Sequence, residues 1–133
     1  MKEEEMTRRL LQAMENPYLT ILGHISGRLL LSRDPYPFNL EAVIEKAKRK
    51  KIIIELNANP HRFDIDCKDC RKLKERGVQV SINPDAHSVD HIRYTDYGVG
   101  IARKGCLTAK EVFNTLSADE MEKSLRDRRP VDG

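Results

Sequence analysis

The stretch "KIIIELN" at residues 51–57 restricts the fold of this chain more than any other feature. Its near-continuous apolar run favours a strand that is buried on both faces, which is typical of parallel sheets covered by helices. Short apolar runs on either side alternate with amphipathic segments of helical length, and this alternation indicates βαβ units. We therefore predict an α/β fold with mainly parallel strands.

The predicted elements alternate along one domain that spans residues 1–133. Helices are predicted at residues 3–15, 40–50, 67–76, 89–94, 109–115 and 118–127, and strands at 18–24, 51–57, 78–83 and 97–103. The helix ends are suggested by local signals: Asn39, Asp66 and Ser88 as N-caps, Gly77 as a C-terminal stop, and capping boxes at Thr108 with Glu111 and Ser117 with Glu120. Residues 128–133 are predicted to be a frayed tail.

Composition excludes some classes of protein and leaves others open. The net charge of +3, from 24 basic and 21 acidic residues, is too balanced to indicate nucleic-acid binding by itself. No apolar run approaches the roughly 18 residues of a membrane span, and the N-terminus lacks an apolar signal region. An odd number of cysteines, three, argues against a disulfide framework. We expect a cytoplasmic protein with no membrane partner.

Polar residues gather where the predicted strands end, and these ends meet at one edge of a parallel sheet. The first strand ends at His24, the second passes Glu55 and ends at Asn57, and the third leads into Asp85 and His87. Strict alternation along each strand groups these polar side chains on shared faces. It also places Leu22 on the face of His24. One sheet face is therefore predicted to become polar towards this edge.

The chemistry of these side chains suits a divalent metal, because imidazole nitrogen and carboxylate oxygen together bind zinc, manganese or iron. Simpler explanations stay open: Asn83-Pro84-Asp85 is also a turn signal, and His24 could be a hydrogen-bonded strand-end histidine.

A carboxylate inside a buried strand needs a partner, so Glu55 requires either a metal or a cation such as Arg28 or Arg62. Those two arginines follow strand ends and could instead clamp a phosphate. Cys67-x-x-Cys70 falls within a predicted helix and has no second pair, so we interpret it as structural.

Five segments in this order resemble a known family. They are "ENPYLTILGHISGRLL", "EAVIEKAKRK", "IELNANPHRFDI", "GVQVSINPDAHS" and "YGVGIARKG". Together they resemble the C-terminal part of the PHP (polymerase and histidinol phosphatase) domain of bacterial and archaeal family X DNA polymerases, over about residues 6–127.

The resemblance implies a distorted, seven-stranded (β/α) barrel with up to three zinc or manganese ions at the strand ends. It implies phosphoester hydrolysis on DNA or small phosphoesters, as 3′–5′ exonuclease, 3′-phosphatase or phosphomonoesterase activity, attached to a DNA-repair polymerase. His24, Asp85 and His87 match the family's metal ligands. Glu55 is carried over as a catalytic base or ligand. Asn57 and Arg62 match residues that line the site, and we group them with Arg28 as predicted phosphate-binding residues.

Departures from the family pattern qualify this expectation. Ile25, Ser26 and Pro84 replace residues that are usual there, and the family's opening His-x-His motif and middle ligands are absent. We expect the chain to correspond to the last three or four of the seven βα units of the barrel. With only part of the ligand set, it should bind metal weakly and hydrolyse phosphoesters weakly or not at all. A non-catalytic scaffold module is the alternative. Exposed strand edges and a lumen face with Leu22 and Ile53 predict a homodimer.

Overall fold

A computed structural model describes residues 2–128 as alternating helices and short strands. The α-helices are α1 (Glu3–Ala13), α2 (Leu40–Lys50), α3 (Cys67–Glu75), α4 (Thr95–Lys104) and α5 (Ala118–Asp127), and the strands are β1 (Ile21–Leu22), β2 (Ile53–Asn57) and β3 (Val80–Asn83). Short three-ten helices span Val89–Tyr94, Ala109–Glu111 and Phe113–Thr115. Apart from Arg128, the predicted frayed tail at 128–133 lies outside the described residues.

The three strands of the described region form one parallel sheet in the order β1-β2-β3. Ile21 lies beside Ile53 in the register of β1 with β2, and Glu55 lies beside Ser81 in that of β2 with β3. The predicted α/β class with parallel strands is confirmed.

Most predicted helix ends are confirmed by their hydrogen bonds. The Asn39 side chain accepts the backbone N–H of Ala42, and Gly77 ends α3 with a φ of +74°, where only glycine is unstrained. Asp66 caps α3 in the same way as Asn39, and both predicted capping boxes are present. Ser88 precedes its short helix without a side-chain hydrogen bond.

The predicted strand at 97–103 is wrong, because these residues belong to α4. A Cβ on Gly98 would lie 2.5 Å from Ile82 Cγ2 and 2.8 Å from the Ala58 Cβ, so the helix packs closely on the ends of β2 and β3. Gly98 and Ala102, four residues apart, are the buried positions of this helix. The short side chains of these residues allow the close approach. Because glycine and alanine contribute little hydrophobicity, the sequence shows no clear apolar pattern of helical period here.

The predicted helix at 109–115 is instead two three-ten turns interrupted at Val112. Val112 is extended and forms a single parallel bridge with Val80 of β3. Asn114 then covers the same edge: its Oδ1 accepts the Ile82 N–H at 2.7 Å, and its Nδ2 donates to the Ile82 carbonyl at 3.0 Å. Part of the strand edge that motivated the predicted homodimer is thus already paired. Self-association itself stays a prediction.

The main apolar core lies on the sheet face that carries Ile54 and Leu56, beneath the helices. It includes Leu10 and Met14 of α1, Val43, Ile44 and Ala47 of α2, Leu73 of α3, Ala102 of α4, and Val80 and Ile82 of β3. Leu22 belongs to this core and pairs in register with Ile54, so its predicted place on the opposite, polar face is wrong. Ile21 occupies the polar-face position, beside Ile53. Within residues 2–128, no helix is long and apolar enough to cross a membrane.

Candidate functional site at the carboxyl rim

The carboxyl ends of the three parallel strands form one edge of the sheet, which we call the rim. At this rim, the residues after β1 reach the polar sheet face through a change in backbone conformation. His24 has a φ of +49°, which ends the alternation of side chains after Leu22. Gly23 lies against Glu55, since a Cβ at this position would be 2.8 Å from Glu55 Oε2. The exposed His24 ring consequently lies near Asn57, with 3.4 Å between His24 Nδ1 and Asn57 Nδ2. The predicted face of His24 relative to Leu22 failed because strict alternation does not survive a left-handed residue.

Glu55 joins the ends of all three strands. Its Oε2 accepts the His24 backbone N–H at 3.0 Å, and its Oε1 accepts Asn83 Nδ2 at 2.9 Å. The Ser81 hydroxyl donates in turn to Asn83 Oδ1 at 2.8 Å. Both carboxylate oxygens are therefore bound by neutral donors rather than by the arginine that the sequence left open as a partner. The carboxylate is half-buried and fixes the position of the His24 backbone.

Asn57 is fully buried, so its predicted phosphate contact is not available in this arrangement. Its Oδ1 accepts the Asn59 backbone N–H at 3.0 Å, which leaves its NH₂ group to face His24. Asn59 is also buried, and its Nδ2 donates to the Asp85 carbonyl at 3.4 Å. These two amides connect the rim of β1 to the loop after β3, which is a positioning role.

The loop after β3 sets the tautomer of the neutral His87 ring. His87 Nδ1 lies 2.8 Å from the Asp85 carbonyl oxygen, and a carbonyl can only accept, so Nδ1 carries the proton. The Nε2 lone pair of the neutral ring is then free on an exposed side chain. Metal-binding histidines commonly donate their other ring N–H to a carbonyl in this way. His24 fits less well, because donation from Asn57 Nδ2 to its Nδ1 leaves the proton of the neutral ring on Nε2.

The two predicted phosphate-binding arginines hold the surrounding loops together. Arg28 Nε donates to the Arg62 carbonyl at 2.9 Å, and one of its terminal nitrogens donates to the Phe63 carbonyl. Arg62 Nε lies 3.6 Å from Asp85 Oδ2, with both side chains about one quarter exposed at 24%. Among the described residues the Arg62 guanidinium makes only long contacts, to the Arg28 carbonyl at 3.5 Å and to Asp85, so it is held less firmly than the guanidinium of Arg28.

The donor types at this rim fit a divalent metal, and the tautomer of His87 supports that fit. Among residues 2–128, however, no three His, Cys, Asp or Glu side chains form a group close enough to hold a metal. His24, Asp85 and His87 are therefore not shown to converge, and their role as ligands stays a prediction.

Sequence reasoning missed two buried residues of this region, Asn59 and Asp64. Asp64 Oδ2 accepts the backbone N–H groups of Ser26 and Gly27 at 3.2 and 3.1 Å, which anchors the loop after β1. Its Oδ1 is buried and has no hydrogen-bond partner among the described residues. Asn59 shares the parity of Asn57 and could have been found by extending the strand pattern. Asp64 carried no such signal, because its partners lie 37 and 38 residues away.

The fold and this rim define an α/β protein with imidazole, carboxylate and guanidinium groups at the carboxyl ends of parallel strands. No family model matches the chain. It is 36% identical, over 93% of its length, to the DNA polymerase/3′–5′ exonuclease PolX of Bacillus subtilis, of which it covers 22%. It is 34% identical to a probable phosphatase of Clostridium acetobutylicum, over 63% of this chain and 34% of that protein.

Over 95% of its length, the chain is 28% identical to a probable phosphatase of Caldanaerobacter subterraneus, of which it covers 49%. The chain thus spans between about a fifth and a half of these relatives. The predicted relationship is confirmed: the chain belongs with the PHP-type sequences of family X polymerases and probable phosphatases.

Proposed function

We propose that this chain supplies one side of the active site of a metal-dependent phosphoesterase of the PHP type. In the full protein the site would hydrolyse phosphoesters, as a 3′–5′ exonuclease or phosphatase attached to a family X DNA polymerase. The observation that best supports this is the exposed His87 ring, whose Nδ1–H is held by the Asp85 carbonyl at 2.8 Å. A histidine held in this way presents its Nε2 lone pair to a ligand.

The neighbouring residues have complementary roles in this proposal. His24, Asp85 and His87 would hold a zinc or manganese ion, which when bound lowers the pKa of water and polarises a phosphoryl oxygen. Arg62 would steady the phosphate, because its guanidinium lies beside the Asp85 loop. Arg28 would act mainly by holding the Arg62 and Phe63 carbonyls in place.

In this proposal the main role of Glu55 is to position His24, rather than to act as a catalytic base. Both of its oxygens accept hydrogen bonds, from His24 N–H and from Asn83, so it sets where the His24 ring can lie. A base at this position would first have to release one of those donors. Asn57 supports the same histidine from below the rim.

Metal binding by the chain itself tests the proposal. Titration calorimetry with Mn²⁺ or Zn²⁺ should detect one weakly bound ion per chain, and His87→Ala should abolish that binding. His61→Ala is a matched control, because His61 is also an exposed imidazole in a loop. Manganese-dependent hydrolysis of a simple phosphodiester should be weak and should disappear in the same variant.

Two outcomes would contradict the proposal. Equal metal affinity in the wild type and in His87→Ala would remove His87 from the site. A folded wild-type chain that binds no ion and releases no phosphate would favour the alternative, a non-catalytic scaffold module.

A further inference from the structure

Four ring side chains form a continuous row beside the rim, which we call the aromatic ledge: Phe63, His91, Tyr94 and Tyr97. His91 stacks on Tyr94 with ring centroids 4.7 Å apart and planes at 19°. Tyr94 and Tyr97 are 6.1 Å apart, and Phe63 meets Tyr97 edge to face at 6.2 Å and 75°. The chain has only four tyrosines, three phenylalanines and no tryptophan. Three of these seven aromatic residues therefore lie at this one place.

Core packing accounts for only part of the ledge. Tyr94 packs against the main apolar core, but Tyr97 and Phe63 are not part of that core or of the side chains packed on it. Tyr97 is 55% exposed although it lies on α4, whose buried positions are Gly98 and Ala102. Tyr97 has ring neighbours on two sides and still exposes more than half of its surface, which leaves room for a further partner.

The ledge is directly connected to the candidate phosphoester site. The His87 backbone N–H donates to His91 Nδ1 at 3.3 Å, so one end of the row touches the loop that carries a predicted ligand. Phe63 follows Arg62 in the chain, and its carbonyl is held by Arg28. A phosphate at the rim would therefore have its organic substituent within reach of the ring row.

The charges around the ledge favour a flat, neutral partner. Exposed Arg93 is outnumbered by exposed Asp90 and Asp96 on the same segment, so the segment that carries most of the ledge is not basic. A polyphosphate backbone would gain little from such a surface. A nucleobase would gain from it, because every base presents a π face to an aromatic side chain.

We propose that the aromatic ledge, with Tyr97 as its exposed ring, stacks the base of a nucleotide whose phosphate lies beside Arg62 and His87. This inference rests on the proposed phosphoesterase function and narrows its substrate class to nucleotides at the end of a single strand. A small sugar phosphate would leave the ledge without a role.

Fluorescence anisotropy with a pentathymidylate labelled at its 5′ end tests the proposal. The 3′-terminal linkage should be non-hydrolysable, and Mn²⁺ should be present throughout. The second probe is the same strand with an abasic 3′-terminal residue. The wild-type chain should bind the complete strand about tenfold more tightly than the abasic one, which corresponds to about 1.4 kcal/mol.

Three variants separate stacking from general effects. Tyr97→Leu should bind both strands equally, whereas Tyr97→Phe should keep the preference because it keeps the ring. Tyr18→Leu, which removes a 70% exposed tyrosine before β1, should also keep it. Circular dichroism should show all three variants folded, since both tyrosines are exposed.

The outcomes distinguish this inference from the function on which it rests. If the wild type binds both strands with equal affinity, the proposed base-stacking role of the aromatic ledge would be wrong. The phosphoesterase proposal would remain intact. An undiminished preference in Tyr97→Leu would have the same two consequences. Failure to bind either strand, together with failure to bind Mn²⁺, would overturn both.

Discussion

The two faces of the sheet are built by different means. The helix-covered face consists of apolar side chains such as Ile54 and Leu56, which are 1% and 0% exposed. The rim of the other face consists of side-chain amides and a carboxylate that hydrogen-bond one another and the backbone of distant loops. Apolar packing tolerates local adjustment, whereas each hydrogen bond at the rim needs its partner in place. We therefore expect the stability of the chain to depend mainly on the helix-covered face. The geometry of the candidate site should depend mainly on the hydrogen bonds at the rim.

The largest effect should come from the helix-covered face. Ile54→Ala on the central strand should lower the free energy of unfolding by about 3 kcal/mol, because it removes buried methyl groups and leaves a cavity. Leu31→Ala is the control, since the Leu31 side chain is completely exposed. Urea unfolding followed by circular dichroism measures both. Equal stability of the two variants would contradict the assignment of the main core to this face.

A smaller loss of stability is expected at the rim. Glu55→Ala should lower the free energy of unfolding by about 1–2 kcal/mol, because it leaves the His24 N–H and the Asn83 amide without their acceptor. Its larger consequence should be local: the amide resonances of His24 and Asn83 should shift in NMR spectra while those of α2 stay in place. Glu45→Ala, an exposed change on α2, is the control. Unchanged rim resonances in Glu55→Ala would contradict the network.

The same contrast explains what sequence reasoning could predict. The helices α1, α2, α3 and α5 and the strand β2 follow from apolar periodicity and capping residues, which are local signals. Helix α4 was missed because its contact face is made of Gly98 and Ala102, which contribute little to a hydrophobic pattern. The interruption at Val112 was missed because it depends on a bridge to Val80, 32 positions earlier in the sequence.

At the rim, residue types were predictable but their geometry was not. The sequence predicts that His24 and Asp85 lie where strands end and that Glu55 lies within the central strand. The positive φ values of His24 and Asp85, +49° and +51°, do not, and they decide which way each side chain faces. The partners of Glu55 lie 31 and 28 residues away, so no local pattern could name them.

The edge of β3 gives a third, intermediate test. Asn114→Ala should lower the free energy of unfolding by about 1 kcal/mol, because the Ile82 N–H and carbonyl lose their side-chain partner. The freed edge should also increase self-association. Sedimentation equilibrium should therefore show a larger mean mass for this variant than for Thr115→Ser. A variant that stays at the monomer mass of 15.3 kDa at the same concentration as a monomeric wild type would contradict the role of Asn114 at the edge.

The smallest effect should come from the ion pairs of Glu15, two residues beyond the end of α1, with the buried Lys46 and the exposed Lys50 of α2. Lys46 and Lys50 lower the pKa of Glu15 from 4.5 to about 2, first by hydrogen bonding and then by charge. Because the pKa is lower in the folded chain, the pairs stabilise it above about pH 4.5, and this contribution is lost as the pH falls towards about 2. Glu15→Gln should therefore be less stable than the wild type at neutral pH.

The difference between Glu15→Gln and the wild type should shrink as the pH falls through that window and should be smaller in high salt, since Glu15 is exposed. Urea unfolding at several pH values measures it. Glu45→Gln is the matched control, because it removes an exposed carboxylate from α2 rather than from the junction between the two helices. A stability difference for Glu15→Gln that stays constant from pH 7 to pH 2 would show that the amide disturbs packing. The ion pairs with Lys46 and Lys50 would then contribute nothing measurable, and the attachment of α1 would depend on Leu10 and Met14 in the apolar core.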